Sequence, residues 1–313
     1  MIYVLGSINH DISLELERLP KKGETVSADG CQTGLGGKGA NQAVAIARLS
    51  GAGEGKKSVK MIGRVGNDAI GAELIARLNA FGVDTEFVRQ VNRATGTAIV
   101  TVTDKDNRIM TYSGANSGLS KTDVDEALEG ATGEDTLLCQ LEVPLYVVAY
   151  ALRKARMLGM TTILNPAPAK SLPDDMFYNV DVIVPNEIEA QELTGIRPND
   201  ESSRWEAVQK LHGLGVPYVV ITLGDKGAVL SDNGYIRGHI PAYKVAAADT
   251  TGAGDTFVGA LALTYPHIGM YSFREACAFA ARAAALCVMK RGAAESIPTA
   301  EEVNRLYVYP IKK

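Results

Sequence analysis

Apolar residues come in short runs along much of the chain: IYVLGS near the start, VKMIGRVG around residue 62, DTLLCQLE, TTILNPAP, DVIVPNE and YVVITLG. Runs of this kind suit strands buried on both faces. Between them lie longer stretches with apolar residues at helical spacing, ANQAVAIARL, AELIARLNAFG, PLYVVAYALRKARMLG and RWEAVQKLHGLG. The alternation predicts an α/β fold: a doubly wound, mostly parallel sheet with helices on both faces.

Two segments break the rhythm. Residues 12 to 34, ISLELERLPKKGETVSADGCQTG, contain no helix-like run, and residues 95 to 116 alternate β-formers with polar residues around DKDN, which predicts a hairpin. Together they predict a small β-sheet lid, with 1–11, 35–94 and 117–313 forming the large domain. Ligands of open α/β sheets bind outside the carboxyl ends of the strands, so a lid belongs there. GAGEGKK, from residue 51 to 57, predicts a surface loop.

Composition narrows the function classes. With 313 residues, 46% hydrophobic, 22% charged and a net charge of −4, the chain has a sizeable core and no basic surplus for nucleic acid or an anionic membrane. MIYVLGSINHD has too short an apolar run for a secretion signal, and no uninterrupted run approaches the roughly 20 residues of a membrane span. The four cysteines show no C-x-x-C spacing, and Cys277 and Cys287 lie in an apolar helical run. The four histidines form no metal-ligand pair. The expectation is a cytoplasmic protein without a disulfide framework or a structural metal.

DTTGAGDTF, Asp249 to Phe257, sits at the mouth of an alanine-rich helical run. Glycines let backbone amides approach a ligand closely, and a helix start attracts anions. Asp255 is itself an anion, so the pairing suggests that a negative group is held while another group loses a proton. Asp249, two glycines and Asp255 exceed what an N-cap needs.

GLGGKGANQ opens another helix and satisfies G-x-G-x-x-G. No acidic residue ends the next strand, as a dinucleotide site requires, and Gly39 follows Lys38 where a Walker loop has Ser or Thr. What remains is a glycine turn presenting Lys38 and Asn41 to a cleft, although Lys38 taken alone reads equally as a surface lysine. In GSINHD, Asn9 and Asp11 fall on one side of an extended chain and could hold vicinal hydroxyls, or simply form an Asx turn. Glu142 ends an apolar strand in QLEVP. Asn186, Glu187 and Glu189 meet at a strand-to-helix junction in PNEIEA, as dipole partners or as hard ligands for Mg²⁺. Thr222 and Gly224 end a strand in VVITLGDKG, where either nucleotide phosphates or a hairpin turn would fit.

GSINHD, GGKGANQAVA, QLEVP, LNPAPA, PNEIEAQELTG, VVITLGDKGA, DTTGAGDTF and KRGAAESIP occur in an order and at spacings that resemble the PfkB carbohydrate kinases, and within them the ribokinase branch. The resemblance covers nearly the whole chain, and GGKGANQA and DTTGAGDTF match the family's two signatures. It implies a ribokinase-like fold and ATP-dependent phosphorylation of a sugar hydroxyl, giving ribose 5-phosphate if the sugar is ribose. Asp255 corresponds to the general base, and Gly252, Ala253 and Gly254 to the anion hole, joined by the Asp255 amide. Asn9, Asp11, Gly37, Lys38, Asn41 and Glu142 correspond to sugar-binding positions. Asn186, Thr222, Gly224 and Gly254 fall on nucleotide positions, and Glu189 on a Mg²⁺ position reached through water. A monovalent cation, usually K⁺, would use Asp249, Thr251, Cys287, Lys290, Gly292 and Ser296, mostly through backbone carbonyls. Ala281 stands where relatives often carry Asn or His near the adenine, and His10 lies between two sugar positions. Deoxyribokinases share most of these motifs, so 2-deoxyribose, fructose and nucleosides remain alternative acceptors. An exposed edge of the lid could pair with a second copy to make a homodimer.

Overall fold

The computed structural model describes residues 1–51, 58–103, 106–232, 236–265 and 272–305. The expected loop at 51 to 57 falls, after Gly51, outside these residues, as do Asp104 and Lys105 of the expected hairpin turn. In chain order the strands are β1 Ile2–Leu5, β2 Asn9–Glu15, β3 Gly30–Gly36, β4 Val59–Gly66, β5 Val88–Val91, β6 Gly96–Thr103, β7 Asp106–Tyr112, β8 Thr136–Cys139, β9 Thr161–Leu164, β10 Val182–Ile183, β11 Tyr218–Thr222, β12 Ala228–Asp232 and β13 Ile236–Ile240. The helices are α1 Lys38–Leu49, α2 Ala69–Ala80, α3 Lys121–Ala127, α4 Leu145–Met157, α5 Asp174–Phe177, α6 Glu187–Thr194, α7 Glu201–Gly213, α8 Ala253–Thr264, α9 Phe273–Cys287 and α10 Ala300–Arg305.

Nine strands form one sheet in the order β13-β12-β11-β10-β9-β8-β1-β4-β5. Pairing is parallel from β11 across to β5, and β12 and β13 join antiparallel at one edge. The apolar runs follow from burial on both faces. In β1, Ile2 and Val4 enter the core under α1, α8 and α9, while Tyr3 and Leu5 enter the core under α3, α4 and α7. β8 and β11 divide their residues in the same way: Leu138 and Val220 go to the first core, Leu137 and Val219 to the second. Each fully buried Leu or Ile contributes roughly 1.5–3 kcal/mol, so truncating Leu137 or Ile46, both inaccessible to solvent, would remove core energy directly.

The chain order reverses at β1, which pairs with β4 on one side and β8 on the other. Such a switch point opens a crevice at the carboxyl ends of the strands. The segments leaving those ends carry Ser7, Gln140, Glu142, Asn165 and Asn186.

The second sheet has four strands in the order β3-β2-β6-β7. β6 and β7 form the expected antiparallel hairpin, with Thr97 opposite Tyr112. β2 starts at Asn9 and β3 ends at Gly36, paired to each other, so this sheet reaches beyond residues 12 to 34 into segments expected in the large domain. Asn116 fastens the junction: its side chain accepts from the Ile8 amide at 2.9 Å and donates to the Ile8 carbonyl at 3.1 Å and Asn9 Oδ1 at 2.7 Å.

Candidate active site

A cavity of about 220 Å³ lies at the carboxyl ends of the central strands. Among its lining residues are Lys38, Asn186, Glu189, Thr222, Gly252, Gly254 and Asp255, all singled out in the sequence. Asn165, Ala167, Val184, Thr250 and Val258 also line it.

Asp255 stands in the first turn of α8, 8% exposed. Gly252 precedes the helix with φ of 79°, a left-handed conformation in which a side chain would be strained, and a Cβ there would come within 3.2 Å of the Ala293 carbonyl. The amides of the first turn have no intrahelical acceptors. A Cβ built on Gly254 would meet nothing within 4 Å, so its backbone faces open space beside the carboxylate. The Asp255 carboxylate is held from α1: Asn41 Nδ2 donates to Oδ2 at 2.9 Å and Gln42 Nε2 donates to Oδ1 at 3.0 Å.

α1 follows Gly37, whose φ is 89° and where a Cβ would lie 2.9 Å from the Asn9 amide and the Ser7 carbonyl. Only glycine lets the helix start that close to the end of β1. Glu142 caps this start, its Oε2 accepting from the Lys38 amide at 3.0 Å and from Ser7 Oγ at 2.5 Å. The Lys38 ammonium is held protonated above the usual lysine range by Asp255, against the cost of burial, with help from Glu142 and Glu189. Asp11 sits against Gly36, where a Cβ would fall 2.0 Å from its carboxylate. Burial, then Glu142, Asp255 and Glu295, push its carboxyl up to about 7.

On the other side of the cavity, Asn186 and Thr222 meet in a parallel bridge between the segments after β10 and β11. Asn186 caps α6, and Glu189 returns the contact, accepting from the Asn186 amide at 2.8 Å and from Nδ2 at 3.0 Å. Burial raises the Glu189 carboxyl, opposed by the Asn186 amide and by Lys38. Gly224, with φ of 58°, begins the exposed turn from β11 into antiparallel β12. That strand end is therefore a turn between antiparallel strands, and its Thr222 also lines the cavity.

A second cluster lies behind the start of α8. Asp249 accepts from the Thr251 amide at 2.9 Å, the Thr251 hydroxyl at 2.7 Å and the Gly292 amide at 3.1 Å. Burial works against these donors, yet they hold the Asp249 carboxyl below its ordinary range. Cys287 Sγ lies 3.0 Å from Ser296 Oγ and donates weakly to the Thr251 carbonyl at 3.8 Å. The Lys290 side chain turns away to Glu302 at 2.6 Å, which leaves only its backbone for this cluster.

Sequence reasoning passed over Gln42, Asn165 and Asn116 as site residues. The only available signal for Gln42 was a fully buried-looking polar side chain in a helix of small apolar residues. The four cysteines are free. Among the described residues there is no cluster of three His, Cys, Asp or Glu that could hold a metal, and no helix long and apolar enough to cross a membrane.

A carboxylate able to take a proton, facing helix-start amides able to hold an anion, suits phosphoryl transfer to a hydroxyl. The class of protein defined by this fold and cavity is the ATP-dependent sugar kinase. The chain belongs to the pfkB family of carbohydrate kinases, whose pattern matches residues 1–300. It is 37% identical to a ribokinase of Staphylococcus aureus over 308 residues, covering 97% of this chain and 99% of that one. It is 35% identical to a deoxyribokinase of Salmonella typhi over 306 residues, covering 97% of each. A structure of Arabidopsis thaliana ribokinase complexed with ribose and ATP superposes with a TM-score of 0.87 at 36% identity, covering 97% of each chain.

Proposed function

We propose that this sugar kinase transfers the γ-phosphoryl group of ATP to the 5-hydroxyl of D-ribose, giving ribose 5-phosphate and ADP. The observation that carries the reading is the buried Asp255 carboxylate in a cavity beside the open Gly254 backbone. Asp255 accepts the hydroxyl proton as the sugar oxygen bonds to the γ-phosphorus. The bond from that phosphorus to the β,γ-bridging oxygen breaks, and its electrons leave on ADP. The amides of Gly252, Ala253, Gly254 and Asp255 hold the γ-phosphate oxygens, and Lys38 offsets charge between the carboxylates. Most of the work is positioning and charge stabilisation.

Asn9, Asp11, Gly37, Lys38, Asn41 and Glu142 hold the sugar in this reading, and Asn186, Thr222, Gly224 and Gly254 hold the nucleotide. Glu189 fits Mg²⁺ only through water, because it is a single carboxylate already accepting two hydrogen bonds from Asn186. The metal would supply positive charge to the phosphates. Around Asp249, one carboxylate and the nearby carbonyls of Thr251 and Ala293 make an oxygen-rich set suited to K⁺, with Cys287, Gly292, Ser296 and the Lys290 backbone around it. That cation would supply fixed charge beneath the anion loop. Asp249 meanwhile ties the Thr251 and Gly292 segments together.

We place the enzyme in the cytoplasm as a homodimer formed through β7, where Ile109, Met110 and Tyr112 are 66%, 56% and 59% exposed at an outer strand of the small sheet. The test of the reaction is phosphorus NMR of the product, which should show a phosphate coupled to two methylene protons at C5. The second reading, 2-deoxyribose, draws on the similarity to the Salmonella typhi enzyme. It is favoured if kcat/KM for the deoxy sugar exceeds that for ribose.

A further inference from the structure

Gln42 is buried in α1 with no solvent exposure, and its amide joins three segments that are distant in sequence. Its Nε2 donates to Asp255 Oδ1 at 3.0 Å and to Asn165 Oδ1 at 3.0 Å, and its Oε1 accepts from Gln140 Nε2 at 2.7 Å. The direction of this chain has a fixed origin. Asn165 Nδ2 donates at 2.8 Å to the Val184 carbonyl, which can only accept. Asn165 must therefore turn its oxygen toward Gln42, and Gln42 must turn its NH₂ group toward both Asn165 and Asp255. Gln140 supplies the donor that the Gln42 oxygen then requires.

We infer that Gln42 is a positioning residue for phosphoryl transfer: it fixes the plane of the Asp255 carboxylate from the backbone of the Val184 segment. The inference rests on Asp255 being the general base. Asn41 holds one carboxylate oxygen and Gln42 the other, so the carboxylate cannot rotate about its Cβ–Cγ bond without losing both donors. Each oxygen keeps lone-pair capacity for the substrate proton. Asn165 and Val184 themselves line the cavity, so the same relay sets the Asp255 carboxylate relative to the opposite wall.

Gln42→Met keeps the length of the side chain and removes its donors. It should lower kcat by about 30- to 300-fold, with KM for ATP and for sugar within about threefold of wild type, the pattern of an interaction that matters in the transition state rather than in binding. A kcat within threefold of wild type in a folded variant overturns the proposal, and so does a rise in KM that accounts for the whole effect. Gln42→Glu, nearly isosteric, is the second variant: it sets a second carboxyl group 3.0 Å from Asp255 Oδ1. It should lose at least as much kcat at pH 8, and an unchanged kcat there overturns the proposal. Unfolding of both variants would make Gln42 an architectural residue and also overturn it. Asp255→Asn, measured alongside, separates the two readings. If it retains turnover, the base assignment falls; if it is inactive while both folded Gln42 variants are fully active, only the positioning role falls.

Discussion

Replacing Asp11 by Asn should stabilise the free enzyme and weaken sugar binding, and pH should control the first effect. Asp11 is held against Gly36, with Oδ1 buried and without a hydrogen-bond partner. Burial and the neighbouring Glu142, Asp255 and Glu295 raise its carboxyl from 3.8 to about 7. The folded protein therefore keeps this proton up to about pH 7, while the unfolded chain releases it near pH 4. The stability contributed by the group is complete below about pH 4 and is lost as pH rises through 7. A gap of about three pH units corresponds to roughly 4 kcal/mol at 1.36 kcal/mol per unit. Asp11 retains some contact with solvent, so about 1–2 kcal/mol is the working figure. At pH 8, Asp11→Asn should raise the melting temperature of the sugar-free enzyme by about 1.5–3 °C, since unfolding a chain of 313 residues carries a large entropy. At pH 4 the wild-type side chain is neutral in the fold and about half ionised in the unfolded chain, so the difference should shrink to roughly half a kcal/mol or less. The binding effect has the opposite sign. In the proposed sugar site an ionised Asp11 would accept from sugar hydroxyls, and loss of hydrogen bonds to a charged group costs about 1.5–3 kcal/mol, or roughly 10- to 150-fold in KM for the sugar. Thermal melts from pH 4 to 9, with sugar kinetics on the same protein, make the assay. A variant less stable than wild type at pH 8, or a stability difference that does not change with pH, would refute the reasoning.

Asp255→Asn should lose about 10²- to 10⁴-fold in kcat with ATP and sugar binding largely kept, measured by ADP release; retention of more than about a tenth of kcat would be inconsistent with a general base. Glu189→Gln should raise the Mg²⁺ concentration for half-maximal rate by about tenfold while keeping the α6 cap largely intact, and a Mg²⁺ titration with unchanged midpoint would count against its role. Asp249→Ala removes the acceptor for three donors from Thr251 and Gly292, so activation by K⁺ over a bulky organic cation should disappear and kcat should fall about tenfold or more. Ile109→Lys with Met110→Lys, both on the exposed β7 edge, should give a monomeric mass by sedimentation where wild type gives a dimer; a monomeric wild type would end that proposal.

Sequence pattern exposed the central sheet because strands buried on both faces are largely apolar, as β1, β4, β8, β9, β10 and β11 are, although β4 also carries Lys60 and Arg64, paired with Glu86 and Asp123. It did not single out β5, whose Arg89 and Gln90 are exposed, or β12 and β13, which join antiparallel beyond the parallel core. Much of the site was legible because single turns, GGKGANQ and DTTGAGDTF, carry several site residues each. The contacts between turns were not: Gln42 meets Asn165 across 123 positions, Asp255 across 213 and Gln140 across 98. No local periodicity marks such a meeting. The position of Lys290 was given by resemblance, but the direction of its side chain depends on Glu302, a partner on α10.

The most direct test of the account is ADP release by the purified enzyme with ATP, Mg²⁺ and K⁺, comparing D-ribose, 2-deoxyribose and no sugar. The account predicts rapid release with ribose, a lower kcat/KM with the deoxy sugar and almost none without acceptor. Release independent of any sugar, or confined to 2-deoxyribose, would contradict it.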